Sequence, residues 1–185
     1  MAVRRDRRVE IPLRSSLIAR FRLFFQLRAE RLLAVPYHRQ ERDNWCWAAC
    51  CEMLIGYYGL SAVTQCTMAS DEFGLACCTT PLDPGCDHGA WPESAYGRYH
   101  VAATLAERSY TADELRGQVD QESPVEVYYE WTGGGAHVAV VAGYYENGDF
   151  LVHDPWYGSG RRTHQQIESG YGLGAWTMTY ETGTA

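Results

Sequence analysis

The sequence predicts an α+β fold, with helices in its first two thirds and an antiparallel sheet in its last third. Three observations predict it. Apolar residues recur at helical spacing in the segments up to Pro124. Beyond Pro124 the segments read as strands rich in Val, Tyr and Trp. Between two of those strands stands Asn147-Gly148, a strong hairpin signal.

The 185 residues divide into a basic N-terminal extension or pro-segment, residues 1–33, and one domain, residues 34–185, long enough to bury a core. Within the extension a helical pattern runs from Ser16 to Leu33, with Leu17, Phe21, Phe24, Phe25 and Leu32 near one face. Residues 16–33 then pack on the domain, belong to a pro-segment, or rest on a membrane or partner surface. A pro-segment would be released near Ala34-Val35-Pro36. Pro36 opens the main domain. Asn44 is placed to cap a buried helix from about Trp45 to Tyr58, which Gly59 stops. Thr64 starts a second, short helix. Residues 71–92, rich in Cys, Gly, Pro and Asp, read as an irregular excursion. Helical character returns from about Pro92 to Glu107, and Thr111 with Glu114 makes a capping box for a further helix. The strands follow at Val125–Trp131, His137–Tyr145, Asp149–Asp154 and Ala175–Thr182.

Charge narrows the partners. The net charge of -7 conceals a balance of +6 over residues 1–31 and of -13 over the rest. So acidic a body repels phosphates, which argues against a nucleic-acid partner. No run reaches the length of a membrane span. Arginines interrupt every apolar stretch near the N-terminus, so no Sec signal is legible. The chain reads as cytoplasmic when made, with export by a non-Sec route left open. All 16 basic residues are Arg, through codon bias or through avoidance of an amine open to conjugation.

The segment from Gln40 to Ala49 carries the sharpest chemistry. A thiol attacks a carbonyl as thiolate, and the first turn of a helix favours that form through its unsatisfied amides and dipole. Cys46 stands at such a position. The oxyanion formed on attack needs donors, and the N–H of Cys46 and the side-chain amide of Gln40 are candidates. A base is offered by His137, which follows the triple glycine 133–135; His38 lies before the first helix of the domain, His88 sits in the Cys-rich stretch, and His100, His153 and His164 lack a glycine approach. Asp154, in Asp154-Pro155-Trp156, is the candidate to orient that base. Trp45, Trp47, Gly134, Gly135 and Trp156 are candidates to touch substrate. One geometric difficulty stands. A strict two-residue Asn-Gly turn sets His137 opposite Gly158 and leaves Asp154 four residues off, roughly 13 Å at about 3.3 Å per residue. A bulge, a longer loop or strong coiling has to close that gap.

Seven cysteines leave at least one thiol free if the others pair. Cys66, Cys77, Cys78 and Cys86, near His88, can form two disulfides in an oxidising compartment, or free thiols or a zinc site in a reducing one. The absence of any C-x-x-C pair weighs against zinc, and no metal or other cofactor is assigned.

Taken together, these segments resemble the papain-like cysteine peptidases. They are most similar to a bacterial branch that includes bacteriocin-leader peptidases and an effector protease of plant pathogens. The resemblance covers about residues 35–182. It rests on Pro36 through Gln40, Asn44 through Ala49, Gln65-Cys66 with Ala69, Cys77-Cys78, His137-Val138 with Gly143-Tyr144, and Asp154 through Trp156. It implies a papain-like fold, with an N-terminal helical lobe whose Cys46 helix packs against a C-terminal antiparallel sheet. It also implies disulfides among Cys66, Cys77, Cys78 and Cys86. The activity implied is hydrolysis of peptide or isopeptide bonds in a protein or peptide substrate, through a thioacyl-enzyme. Deamidation or acyl transfer on protein side chains uses the same three residues, and a disulfide-stapled binding module with a vestigial site is the non-enzymatic alternative.

Overall fold

The structure, a computed structural model, describes residues 29–80 and 82–184. Residues 16–28 of the expected N-terminal helix lie outside the described residues. Its far end is not helical: Arg31–Leu32 form strand β1, which pairs antiparallel with β4 (Ala136–Tyr144). The reason lies in the sheet. Strand β3 (Val125–Trp131) begins opposite Val141, so the last residues of β4 need another partner on that side, and β1 supplies it. Gly143 permits the approach, since a Cβ there would lie 2.5 Å from the Arg31 carbonyl oxygen. Leu33 and Val35 continue inside the domain, bonded through the Ala142 carbonyl and His153 respectively.

Helix α1 (Cys46–Tyr57) is apolar nearly all round, with Trp47 to Cys51 and Met53 to Ile55 buried. Such a helix belongs in the centre of a core. Gly59 follows it at φ +66° and closes its last turn, its N–H bonding Gly56 and that of Leu60 bonding Ile55. The expected cap at the other end fails. Trp45 is the cap residue and makes no side-chain cap bond. Asn44 instead bonds Asp87 through its N–H (2.9 Å) and its amide (3.0 Å), because a loop distant in sequence offers it stronger acceptors. The first amides of α1 therefore face outward with no capping side chain.

Helix α2 (Gln65–Phe73) starts on Thr64, whose hydroxyl accepts from Thr67, and ends on left-handed Gly74. The excursion after it is irregular except for a 3-10 turn at Pro84–Cys86. The helix expected from Pro92 to Glu107 is two elements. Helix α3 (Pro92–Tyr99) stops at His100, itself left-handed at φ +64°, and strand β2 (Val101–Ala106) follows. A run such as Val101–Ala106 suits either period, and the open edge of β7 (Gly174–Thr184) decides it. Helix α4 (Ala112–Asp120) carries the capping box of Thr111 and Glu114.

The sheet runs β2-β7-β3-β4-β5-β6, with β5 at Phe150–Asp154 and β6 at Gly158–Arg162. Strand β6 and the short helix α5 (His164–Glu168) are absent from the sequence reading, because a polar, Gly-rich edge strand has no apolar alternation to betray it. Helices cover both faces. Cys50 of α1 and Tyr96 of α3 reach the face of β3 that carries Glu126. Gln118 of α4 reaches Glu181, which stands opposite Val125 on the other face.

Candidate active site

Cys46 is the first residue of α1, His137 the second of β4 and Asp154 the last of β5. The hairpin solves the register difficulty in two steps. Its turn is one residue longer than a strict Asn-Gly turn: Tyr145 bonds the Asp149 carbonyl at 2.8 Å and Gly148 adopts φ +91°, which brings Phe150 opposite Tyr144. A bulge between Val141 and Gly143 absorbs a second residue, so His153 stands opposite Val140. Asp154 thereby comes two residues nearer to His137 and becomes its diagonal neighbour on one face. His137 Nε2 lies 2.9 Å from Asp154 Oδ1.

Cys46 lines the same two hollows as His137, and its interaction with the imidazole favours the charged ring. Burial of the imidazole opposes its charging, but the bonds to Asp154 and Cys46 outweigh it and push its pKa up to about 9. Burial acts on Asp154 in the raising direction, yet the bond and charge of His137 and the amides of Tyr157 and Trp156 hold its carboxyl below the ordinary value. The pair is thus imidazolium and carboxylate at neutral pH. An imidazolium beside a thiol favours thiolate, the form that attacks a carbonyl. The ring is held flat by stacking on Trp131 (5.5 Å) and Tyr129 (6.3 Å) and edge-on by Tyr157 (6.1 Å).

Asp154 also serves the turn that follows it. Its Oδ1 accepts from the amides of Trp156 and Tyr157, each at 2.8 Å, while Oδ2 accepts from the Tyr171 hydroxyl at 2.9 Å. Gln40 is buried just upstream of Cys46, and its amide donates to the carbonyls of Arg42 (2.8 Å) and Asp43 (2.7 Å). Its Oε1 is buried with no partner among the described residues. As it stands, Gln40 braces the loop leading to Cys46.

The cleft consists of two hollows, of about 330 and about 310 Å3, that share Asn44, Cys46, Gly89, Gly135, Ala136 and His137. The first extends over Trp47, Trp91 and Tyr128, with Trp91 stacked on Tyr128 at 5.4 Å. The second extends over Gly134, Trp131, Trp156 and Tyr157. At Gly89, Gly134 and Gly135 an added Cβ would meet nothing within 4 Å, so the cleft floor between the hollows is open to a passing chain. Of the five candidate substrate contacts, Trp47, Gly134, Gly135 and Trp156 line these hollows. Trp45 does not: it is buried, and its indole N–H bonds the Cys86 carbonyl at 2.6 Å. Gly89, Trp91, Tyr128, Trp131, Tyr157 and Tyr171 are site residues that the sequence reading missed. The run Gly170-Tyr171-Gly172, an aromatic between two glycines, is the one local signal among them.

Disulfides join Cys66 to Cys78 and Cys77 to Cys86, leaving Cys46, Cys50 and Cys51 as thiols. Beneath α1, Glu126 is wholly buried. Burial pushes its carboxyl up to about 8, against the opposing bonds from Tyr96 and Cys50. Among the described residues no cluster of His, Cys, Asp and Glu is arranged to hold a metal, and no helix is long and apolar enough to cross a membrane.

Residues 32–183 match the model of the Peptidase_C39-like family. No curated protein matches the chain. Among solved structures, it is similar to a double glycine motif protease from an AMS/PCAT transporter, crystallised with the leader peptide. The two are 17% identical over 85% of this chain and 96% of that one, with a TM-score of 0.50. Others are the interpain A cysteine protease of Prevotella intermedia (11% identity, 86% and 96% covered, TM-score 0.48) and the Pseudomonas avirulence protein AvrPphB (7%, 83% and 95%, 0.37). The first likeness is one of fold, and the α+β, papain-like architecture is shared.

Proposed function

This chain belongs to the Peptidase_C39-like family, and on that premise we propose that it is a cysteine peptidase that hydrolyses peptide or isopeptide bonds through a thioacyl-enzyme. The observation that carries the reading is that His137, held on Asp154 at 2.9 Å, shares the cleft with the free thiol of Cys46 at the start of its helix. Cys46 thiolate attacks the scissile carbonyl carbon, and the carbonyl electron pair moves onto oxygen. The oxyanion is met by the N–H of Cys46, one of the helical amides with no intrahelical acceptor. Gln40 supplies the second donor by turning one amide hydrogen from a loop carbonyl to the oxyanion. As the C–N bond breaks, His137 gives its proton to the leaving amine. Water then attacks the thioester, His137 takes a proton from it, and Cys46 leaves as thiolate with release of the acid. Asp154 holds the imidazole in one orientation and stabilises its charged form. The open glycine floor favours an extended peptide as substrate, in keeping with the leader peptide bound by the similar transporter protease.

The test is intact mass after treatment with a thiol-directed epoxide at pH 5 and pH 8. Single labelling that persists at pH 5 and vanishes in Cys46→Ala is the expected outcome. Labelling confined to pH 8, or surviving the substitution, would mark Cys46 as an ordinary thiol and end the peptidase reading.

A further inference from the structure

Tyr171 holds a left-handed backbone, φ +59° and ψ +24°. That region is disfavoured for any residue with a Cβ and is an outlier for one so bulky. Its neighbours Gly170 (φ +50°) and Gly172 (φ +84°) enter the same region freely. Three successive residues thus coil tightly, and only the middle one is strained. Such strain persists where the surroundings over-determine it, and it is a reason to look for a role.

The surroundings of Tyr171 are the back of the His137–Asp154 pair. Its ring meets Tyr157 edge-on at 5.5 Å and Tyr129 at 5.7 Å, and the Arg162 guanidinium lies 5.4 Å over it. Its phenol donates to Asp154 Oδ2. The two carboxylate oxygens are served unequally. Oδ1 receives His137 and two backbone amides; among the described residues, Oδ2 receives Tyr171. Asp154 is wholly buried.

We propose that Tyr171 is a positioning residue whose phenol O–H pins Asp154 Oδ2, keeping the carboxylate charged and its Oδ1 on His137. The inference rests on the reading of Cys46, His137 and Asp154 as one catalytic unit. Without the phenol, the buried Oδ2 loses its donor, and the carboxyl group rotates or takes up a proton. Either response withdraws support from the imidazolium. The other titratable groups around the pair are Cys46 from α1, Tyr129 and Glu126 from β3, Tyr157 from the turn and Arg162 from β6. Cys50 and Tyr37 act on Asp154 through space. A Tyr171→Phe variant keeps the ring and removes the O–H, and with it the interaction of that hydroxyl with Tyr129 as well as the bond to Asp154.

The measurement is the rate of epoxide labelling of Cys46 as a function of pH, which needs no knowledge of the substrate. In Tyr171→Phe the alkaline fall of the rate is expected to begin about one pH unit lower, so that labelling above pH 9 is about five- to tenfold slower than in the wild type. Tyr171→Gly relieves the backbone while deleting the phenol, and is expected to lose at least as much. An alkaline limb that stays in place in Tyr171→Phe, whatever the rate, overturns the proposal, because lost packing alone slows labelling without moving the limb. Failure of the wild type to label at all removes the peptidase reading itself, a different outcome.

Discussion

On the sheet wall of the cleft, His137 and Asp154 ride on adjacent strands of a continuous ladder from β3 to β6, flanked by buried side chains. The facing wall, residues 83–91, has one 3-10 turn of its own and hangs from other segments. Cys77 holds Cys86 covalently, and the indoles of Trp45 and Trp47 hold the carbonyls of Cys86 and His88. Asn44 holds Asp87. One wall is therefore stabilised cooperatively by many weak bonds, and the other by a few discrete fasteners. The difference teaches how each wall is held: the one carrying His137 and Asp154 by the sheet ladder, and the one bordering the groove by staples between distant segments.

The comparison breaks first if the two sides of the cleft do not act as one unit. Cys46→Ala from the helix side and His137→Ala from the sheet side are each expected to lower kcat/KM about a thousandfold or more, with the double variant no worse than the poorer single. Effects that multiply in the double variant would mean independent roles.

A smaller effect sharpens the contrast in stability. Replacing Cys77 and Cys86 by Ser is expected to cost about 2–3 kcal/mol, and amide exchange should rise over residues 83–91 while β3 to β5 stay protected. Exchange that rises evenly across both walls would show that the fasteners support the whole fold.

The smallest effect probes the sheet side alone. Glu126, with its pKa raised from 4.5 to about 8, keeps a proton that the unfolded chain releases, so stability falls as pH rises between those values. His137 has its pKa raised from 6.5 to about 9, and its contribution is lost only above that lower value. Between pH 5 and pH 6.5 His153, whose pKa burial lowers, acts in the opposite sense, so the difference between wild type and a Glu126 variant is what isolates Glu126. Relative to Glu126→Gln, wild type is expected to lose on the order of 1 kcal/mol there in denaturant titrations. Equal slopes in the two proteins would place the protonation change elsewhere.

Much of this was legible because it is local. The apolar run of α1, the glycine at position 59 and the box of Thr111 and Glu114 each act within one or two turns of chain. The strands after Pro124 announce themselves by composition, and the spacing from Gln40 to Cys46, with His137 and Asp154, marks the candidate site without any structure. The elements that escaped are those whose partners lie far away in sequence. Strand β1 exists because β4 outruns β3, and β2 because β7 has a free edge. Asn44 forgoes its cap for Asp87, and Trp45 turns from the cleft to fasten a loop.

The sequence by itself determined the class of fold and the helix that presents Cys46, since residue type and short-range periodicity carry that information, and it singled out His137 and Asp154 as candidates. Only the tertiary structure decided that His137 meets Asp154, through a turn one residue longer and one bulge, and that Tyr171 stands behind them in a strained coil. Register and side-chain meetings are settled by contacts between distant segments, whose free energies no local pattern encodes.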